Sequence, residues 1–268
     1  MSLATFDRRI IFGVIFLAVA APLIVPIGLV SEVSPGTQQF YDLIEQLPEG
    51  SVIMLSFDCE ASSWPEIGPV ADALVRHAMR RRLKIVGTSF LSEGTALGYD
   101  LLTRLTRQTG MPYGADWIYL GFRPQYIAAM LGMGESIQTE FPEDYTGRPL
   151  DSLPLSRQVR TYADMALVVS IADDTMPQYW IEYAGGRYGV KIATGLSAVM
   201  VTTFTPYLDS RQLAAVIGGL KGAAEYERRL GIRGSGSRGM DAQSTAHLAI
   251  ILLVIVGNVA YFAGRRKP

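Results

Sequence analysis

Two kinds of hydrophobic pattern alternate along the chain. Short, continuously apolar runs rich in β-branched residues are separated by longer stretches whose apolar positions recur every three to four residues. The runs at 52–57 (VIMLSF), 84–90 (KIVGTSF), 116–121 (DWIYLG), 166–172 (ALVVSIA) and 190–194 (VKIAT) predict strands. They are apolar at consecutive rather than alternate positions, which predicts strands covered on both faces, as in a parallel sheet. Phe40, Leu43, Ile44 and Leu47 mark one apolar face of a short helix, ended by Pro48 and Gly50. Val70, Leu74 and Ala78 mark a second helix over 67–82, and further helices are expected at 92–108, 125–131, 157–164, 178–184 and 223–230. The stretch 196–208 supports a helix or a strand, and 213–220 a short edge strand or the start of the last helix. The expected fold is α/β: a doubly wound, mostly parallel, Rossmann-like sheet of five to six strands over 34–230.

The two ends break this pattern. Residues 10–30 carry no charge and follow Arg8-Arg9, and residues 246–263 are apolar except for His247 and Asn258. Each is long enough, at about 1.5 Å per residue, to be expected as a transmembrane helix. Ala18-Val19-Ala20 also fits a signal-peptide cleavage site, but the apolar run continues well past it, which favours a retained anchor. Arg8 and Arg9 precede the first span and no Lys or Arg follows it for twenty residues. The expected topology is therefore two-pass in the cell membrane, with both termini cytoplasmic and the α/β domain extracytoplasmic. Residues 231–245 (GIRGSGSRGMDAQST) read as a flexible linker to the second span. Within the domain, 132–155 is rich in Gly, Pro and acid, and is expected to be a lid, a binding loop or a mobile excursion.

Composition narrows the function classes. A net charge of −1 offers no field for nucleic acid. Cys59 is the only cysteine and His77 and His247 the only histidines, too few ligands for a structural zinc site and no basis for an internal disulfide. Gly132-Met133-Gly134 follows a helix and makes no G-x-G-x-x-G, no cofactor is expected, and the chain has no G-x-S-x-G elbow. Cys59 lies between two acids, which opposes thiolate formation.

Ligands of open α/β sheets bind beyond the carboxyl ends of the strands. The residues expected there are Asp58, Glu60 and Trp64 after the first strand, Thr88, Ser89 and Ser92 after the second, and Asp173 and Asp174 after the fourth. Phe57-Asp58-Cys59-Glu60, Thr88-Ser89 and Asp173-Asp174 together resemble the motifs of the haloacid dehalogenase superfamily. That resemblance implies a magnesium-dependent phosphohydrolase with an Asp nucleophile, a phosphoryl-binding hydroxyl and paired metal-binding acids. Glu60 stands where that family has a second Asp, and no Lys precedes the fourth strand at the expected place, Arg160 being the nearest cation. A broader likeness, carried by FYDLIEQLPEGSVIMLSFD and GGLKGAAEYE, is to bacterial membrane-anchored α/β proteins with terminal transmembrane segments. It implies the architecture and no activity. The expected function is a binding or assembly subunit at the lipid bilayer, working with a membrane-protein partner or as a homo-oligomer. A phosphohydrolase and a small-ligand sensor closed by 132–155 are the alternatives.

Overall fold

A computed structural model describes residues 8–25, 27–29 and 32–265. Six strands form one sheet: β1 (Val52–Asp58), β2 (Lys84–Ser89), β3 (Trp117–Phe122), β4 (Leu167–Ala172), β5 (Ile192–Leu196) and β6 (Ala215–Gly218). Their order is β3-β2-β1-β4-β5-β6, with every neighbouring pair parallel. The order reverses between β1 and β4, the switch point at which open α/β sheets bind ligands.

Side chains alternate between the two faces of each strand. Ile53, Leu55 and Phe57 face a core closed by α2 (Pro35–Glu45), α3 (Trp64–Arg80), α4 (Ser92–Thr109) and α9 (Gly219–Leu230). Met54, Val86, Ile118, Val168 and Ile192 face the other, closed by α5 (Tyr126–Glu135), α6 (Ile137–Glu140), α7 (Met176–Tyr179) and α8 (Val201–Asp209). Burial on both faces is what the unbroken apolar runs demand. It also settles the ambiguous stretches: 196–208 carries α8, and 213–220 divides into β6 and the start of α9.

Three expectations change. The segment 132–155 is not an excursion. Phe141, Leu150, Leu153 and Leu155 are buried in the second core, and Asp144 ties a turn together by accepting from the N–H groups of Thr146 and Arg148 and from Tyr113. Instead of a helix over 157–164 there is only a 3-10 turn at Tyr162–Asp164, and 178–184 divides between α7 and a π-helical turn, Trp180–Gly186. The expected linker is mostly helix: α10 (Ser235–Arg265) begins four residues after Gly231, its first turn held by Glu227, whose carboxylate accepts from Gly234, Gly236 and Ser237 N–H groups at 2.8–3.0 Å.

The path of α10 sets the geometry of the molecule. Helix α9 starts directly after β6, at the carboxyl edge of the sheet, and runs back to Leu230, whose carbonyl accepts from Arg80 at the end of α3. Helix α10 retraces it in the opposite sense. A Cβ added at Gly236 would stand 2.7 Å from Ala223, and one at Gly239 3.0 Å from Leu220. So α10 leaves the domain at the carboxyl edge of the sheet. An 18-residue window within its Ser235–Phe262 stretch has a mean hydropathy of 2.0, and this is, among the described residues, the one helix long and apolar enough to cross a bilayer.

At the other end of the chain, α1 (Arg8–Ile24) has 17 residues, or about 25 Å of helix. It is shorter than the expected span of 10–30, of which Pro26 and Val30 lie outside the described residues, as do Arg266 and Lys267 after the second. It pairs with α10 in antiparallel fashion. Thr245 Oγ1 donates to Ala18 O at 2.6 Å, and the buried Asp241 carboxylate accepts from the N–H groups of Ile27, Gly28 and Leu29 at 2.8–3.0 Å. The positive φ of Gly28 turns those three N–H groups toward one carboxylate.

Candidate functional site

Asp58 ends β1 at the switch point and points into the second core. It is fully buried. Oδ1 accepts from Ser56 Oγ (2.7 Å) and Phe90 N (2.9 Å); Oδ2 accepts from Ser170 Oγ (3.0 Å) and Trp180 Nε1 (3.0 Å). Burial pushes its pKa up to about 6, and the four donors pull against that rise.

The donors have a register origin. Thr88, Ser56, Ser170 and Thr194 are paired across β2, β1, β4 and β5, a buried row of hydroxyls one level below the carboxylate. The two central hydroxyls turn up to Asp58. The outer two turn to carbonyls: Thr88 to Gly121 (3.0 Å) and Thr194 to Ser170 (2.9 Å). Every hydroxyl in the row is thereby satisfied without water or ligand.

The remaining acids stand around the rim and hold loops together. Asp173 accepts from Glu60 N (3.1 Å), Glu93 from Ala61 N (2.7 Å), Glu66 from Ala198 N (2.7 Å) and Asp174 from Met176 N (2.8 Å). Burial raises the pKa of Asp174, with Asp173 and Glu60 adding to the rise. Cys59, beneath them, is driven up to about 12 by burial first and then by Asp173 and Asp58, which leaves an inert thiol.

Of the residues expected at the site, Asp58, Glu60, Asp173 and Asp174 gather at the switch point. Ser89 joins the strand ends by bonding Phe57 O at 2.7 Å. Thr88 is turned away, Ser92 is exposed in the first turn of α4, and Trp64 is half-buried in the first turn of α3 with its ring against Gly68. Among the described residues no three His, Cys, Asp or Glu side chains are grouped to share a metal ion. The β1–α3 turn, Cys59-Glu60-Ala61-Ser62-Ser63, has no glycine to admit a pyrophosphate, and the acids of the rim repel one.

Sequence reasoning missed Ser56 and Ser170, and it placed Trp180 among the aromatics near the strand ends without its bond to Asp58. It also missed two assemblies away from the edge. His77 is buried between Tyr226 OH (2.7 Å from Nδ1) and Glu45 (2.8 Å from Nε2), a tie between α2, α3 and α9 in which burial lowers the imidazole pKa. A cleft of about 290 Å3 lies between α9, the start of α10 and the turn after α1, lined by Glu225, Arg228, Arg233 and Asp241. Its buried Glu225 accepts through Oε2 from Ser34 and Thr37, while Lys221 Nζ stands 3.8 Å from Oε1.

No protein-family model matches the chain, and no curated protein matches it significantly.

Proposed function

We propose that the chain is a membrane-anchored α/β domain that serves as a binding or assembly subunit of a membrane complex. The observation that carries this reading is the rigid junction between domain and apolar helix. Glu227 holds the first turn of α10, and Asp241 holds the turn after α1, so the domain is clamped to its anchor rather than hung from a flexible linker. A clamped domain presents one fixed face to the bilayer, which suits docking to a membrane neighbour better than encounter with soluble substrate.

The switch point supports the same reading. A phosphohydrolase would need Asp58 as an accessible nucleophile. Here all of its exposure is gone and each oxygen accepts two hydrogen bonds, the pattern of a structural carboxylate. A sensor would need 132–155 to open, and that segment is part of the core.

The two-pass arrangement, with both termini cytoplasmic and the domain extracytoplasmic, rests on Arg8-Arg9 alone. Ala18 lies level with Thr245, so Arg8 lies level with about residue 255 along a helix rising about 1.5 Å per residue. That level is midway along residues 246–263, about 12 Å of helix from either end and beyond the reach of an arginine side chain, so the pairing by itself does not carry α1 across the bilayer.

Alkaline carbonate extraction followed by cross-linking in intact membranes tests the proposal. The protein should stay in the membrane pellet and cross-link to a defined integral membrane protein or to itself. Release into the carbonate supernatant would refute the anchor, and a pellet-bound protein with no cross-linked product would refute the assembly role.

A further inference from the structure

We infer that the turn Ala198–Met200, through Val199, touches the bilayer interface and forms a second membrane contact beside α10. This rests on α10 crossing the membrane, and it adds a place where the domain itself meets lipid.

The sequence Ala198-Val199-Met200-Val201 is four apolar residues in a row on an outer turn. Val199 is 80% exposed, by a wide margin the most exposed large apolar side chain of the sheet domain. Ala198 and Val199 are exposed while Met200 and Val201 lean on the second core, so it is Val199 whose exposure carries a solvation cost unless something apolar covers it. The turn is also held firmly: Ala198 N donates to Glu66, and the turn lies over Gly218 and Gly219, where a Cβ at Gly219 would come within 2.8 Å of Ala198 Cβ. The missing side chains at Gly218 and Gly219 let the turn seat at the point where β6 becomes α9.

Its position identifies what covers it. The turn follows β5 and so projects beyond the carboxyl edge of the sheet, the edge at which α10 departs. Gly219 neighbours the turn, and the next residue, Leu220, meets Gly239 of α10. From Gly239 to the start of the apolar segment at Ala246 is seven residues, or about 10 Å of helix. The polar layer on each side of a hydrocarbon core is about 5–8 Å deep. A side chain projecting past Gly219 along the direction of α10 therefore enters that layer. The acids of the rim, Glu60, Glu93, Asp173 and Asp174, share this edge, so the contact is apolar insertion and gains nothing from anionic lipid.

Single cysteines carrying an environment-sensitive fluorophore test this in the full chain reconstituted into phosphatidylcholine vesicles. The buried, inert Cys59 does not compete for the label. Three variants are compared: Val199→Cys, Val254→Cys in the apolar part of α10, and Glu49→Cys at the opposite edge of the sheet. The expected result is quenching by brominated lipid at positions 254 and 199, a blue-shifted emission at 199, and quenching at 49 only by aqueous iodide. Adding anionic lipid should leave the signal at 199 unchanged or reduce it. Lipid quenching at 254 with iodide quenching at 199 equal to that at 49 would overturn the inference while leaving the span intact. No lipid quenching at 254 would overturn the span itself, and the inference with it.

Discussion

Trp180 Nε1 donates to Asp58 Oδ2 at 3.0 Å, joining a π-helical turn to the end of the first strand across 122 residues. Indole N–H can only donate, so its partner must remain an acceptor. Asp58→Asn would turn an amide N–H₂ against either Trp180 or the Phe90 N–H. The expected loss is about 1–3 kcal/mol of stability, the usual cost of leaving a buried polar group unsatisfied. Urea unfolding in detergent, followed by circular dichroism, measures it. An Asp58→Asn protein as stable as wild type would remove the structural role assigned to this carboxylate.

Asp58 and His77 give opposite pH signatures. Asp58 binds its proton more tightly folded, at about 6, than unfolded, at about 3.9, so its contribution is fully present below pH 4 and lost as pH rises through about 6. Burial lowers the His77 pKa, so its contribution is present above about pH 6.5 and lost as pH falls from there toward the folded value. In wild type the two offset each other on acidification. Asp58→Asn removes the gain and keeps the loss, so its urea midpoint should fall more steeply than that of wild type between about pH 7 and about pH 5. Parallel slopes would contradict the direction assigned to Asp58.

At the junction between α1 and α10, Asp241→Ala deprives three consecutive N–H groups of their acceptor. Hydrogen exchange at Ile27, Gly28 and Leu29 should accelerate by about tenfold or more, matching a local loss of about 1–3 kcal/mol. Unchanged protection of these amides would mean that another group holds the turn.

Cys59 should resist maleimide at pH 8 in the folded protein and react on unfolding. Gly94→Ala should lose the native fold, because a Cβ there would overlap the Phe57 carbonyl, so its Cys59 should react without denaturant. Rapid labelling of the folded wild type would contradict the buried position of the thiol.

Much of the fold was legible because a strand covered on both faces has to be apolar throughout, and such runs stand out. β5 was read two residues early because Gly195 looks like a breaker; its bare backbone instead gives room to Val70 of α3. β6 was legible only as one of two alternatives, because the alanines around it suit a helix as well. The start of α10 was misread as a linker because glycine suggests flexibility when composition alone is available. Gly236 and Gly239 are close-approach glycines against α9, a role visible only once the two helices are side by side. The acids at the switch point were legible as residues but not as chemistry. Each of the four strands around Asp58 carries a hydroxyl, at Thr88, Ser56, Ser170 and Thr194, and only the register aligns them into a row. Ser56, two residues before Asp58 and on its face, was the signal present in the sequence. Trp180 had none, because its contact crosses half the chain.

The most direct measurement of the central claim is the mass of the assembly released from native membranes by a mild detergent, determined by size exclusion with light scattering. A membrane subunit clamped to its anchor should emerge in a complex of defined stoichiometry with another integral membrane protein or with further copies of itself. A detergent-solubilised monomer free of any stoichiometric partner would contradict that role.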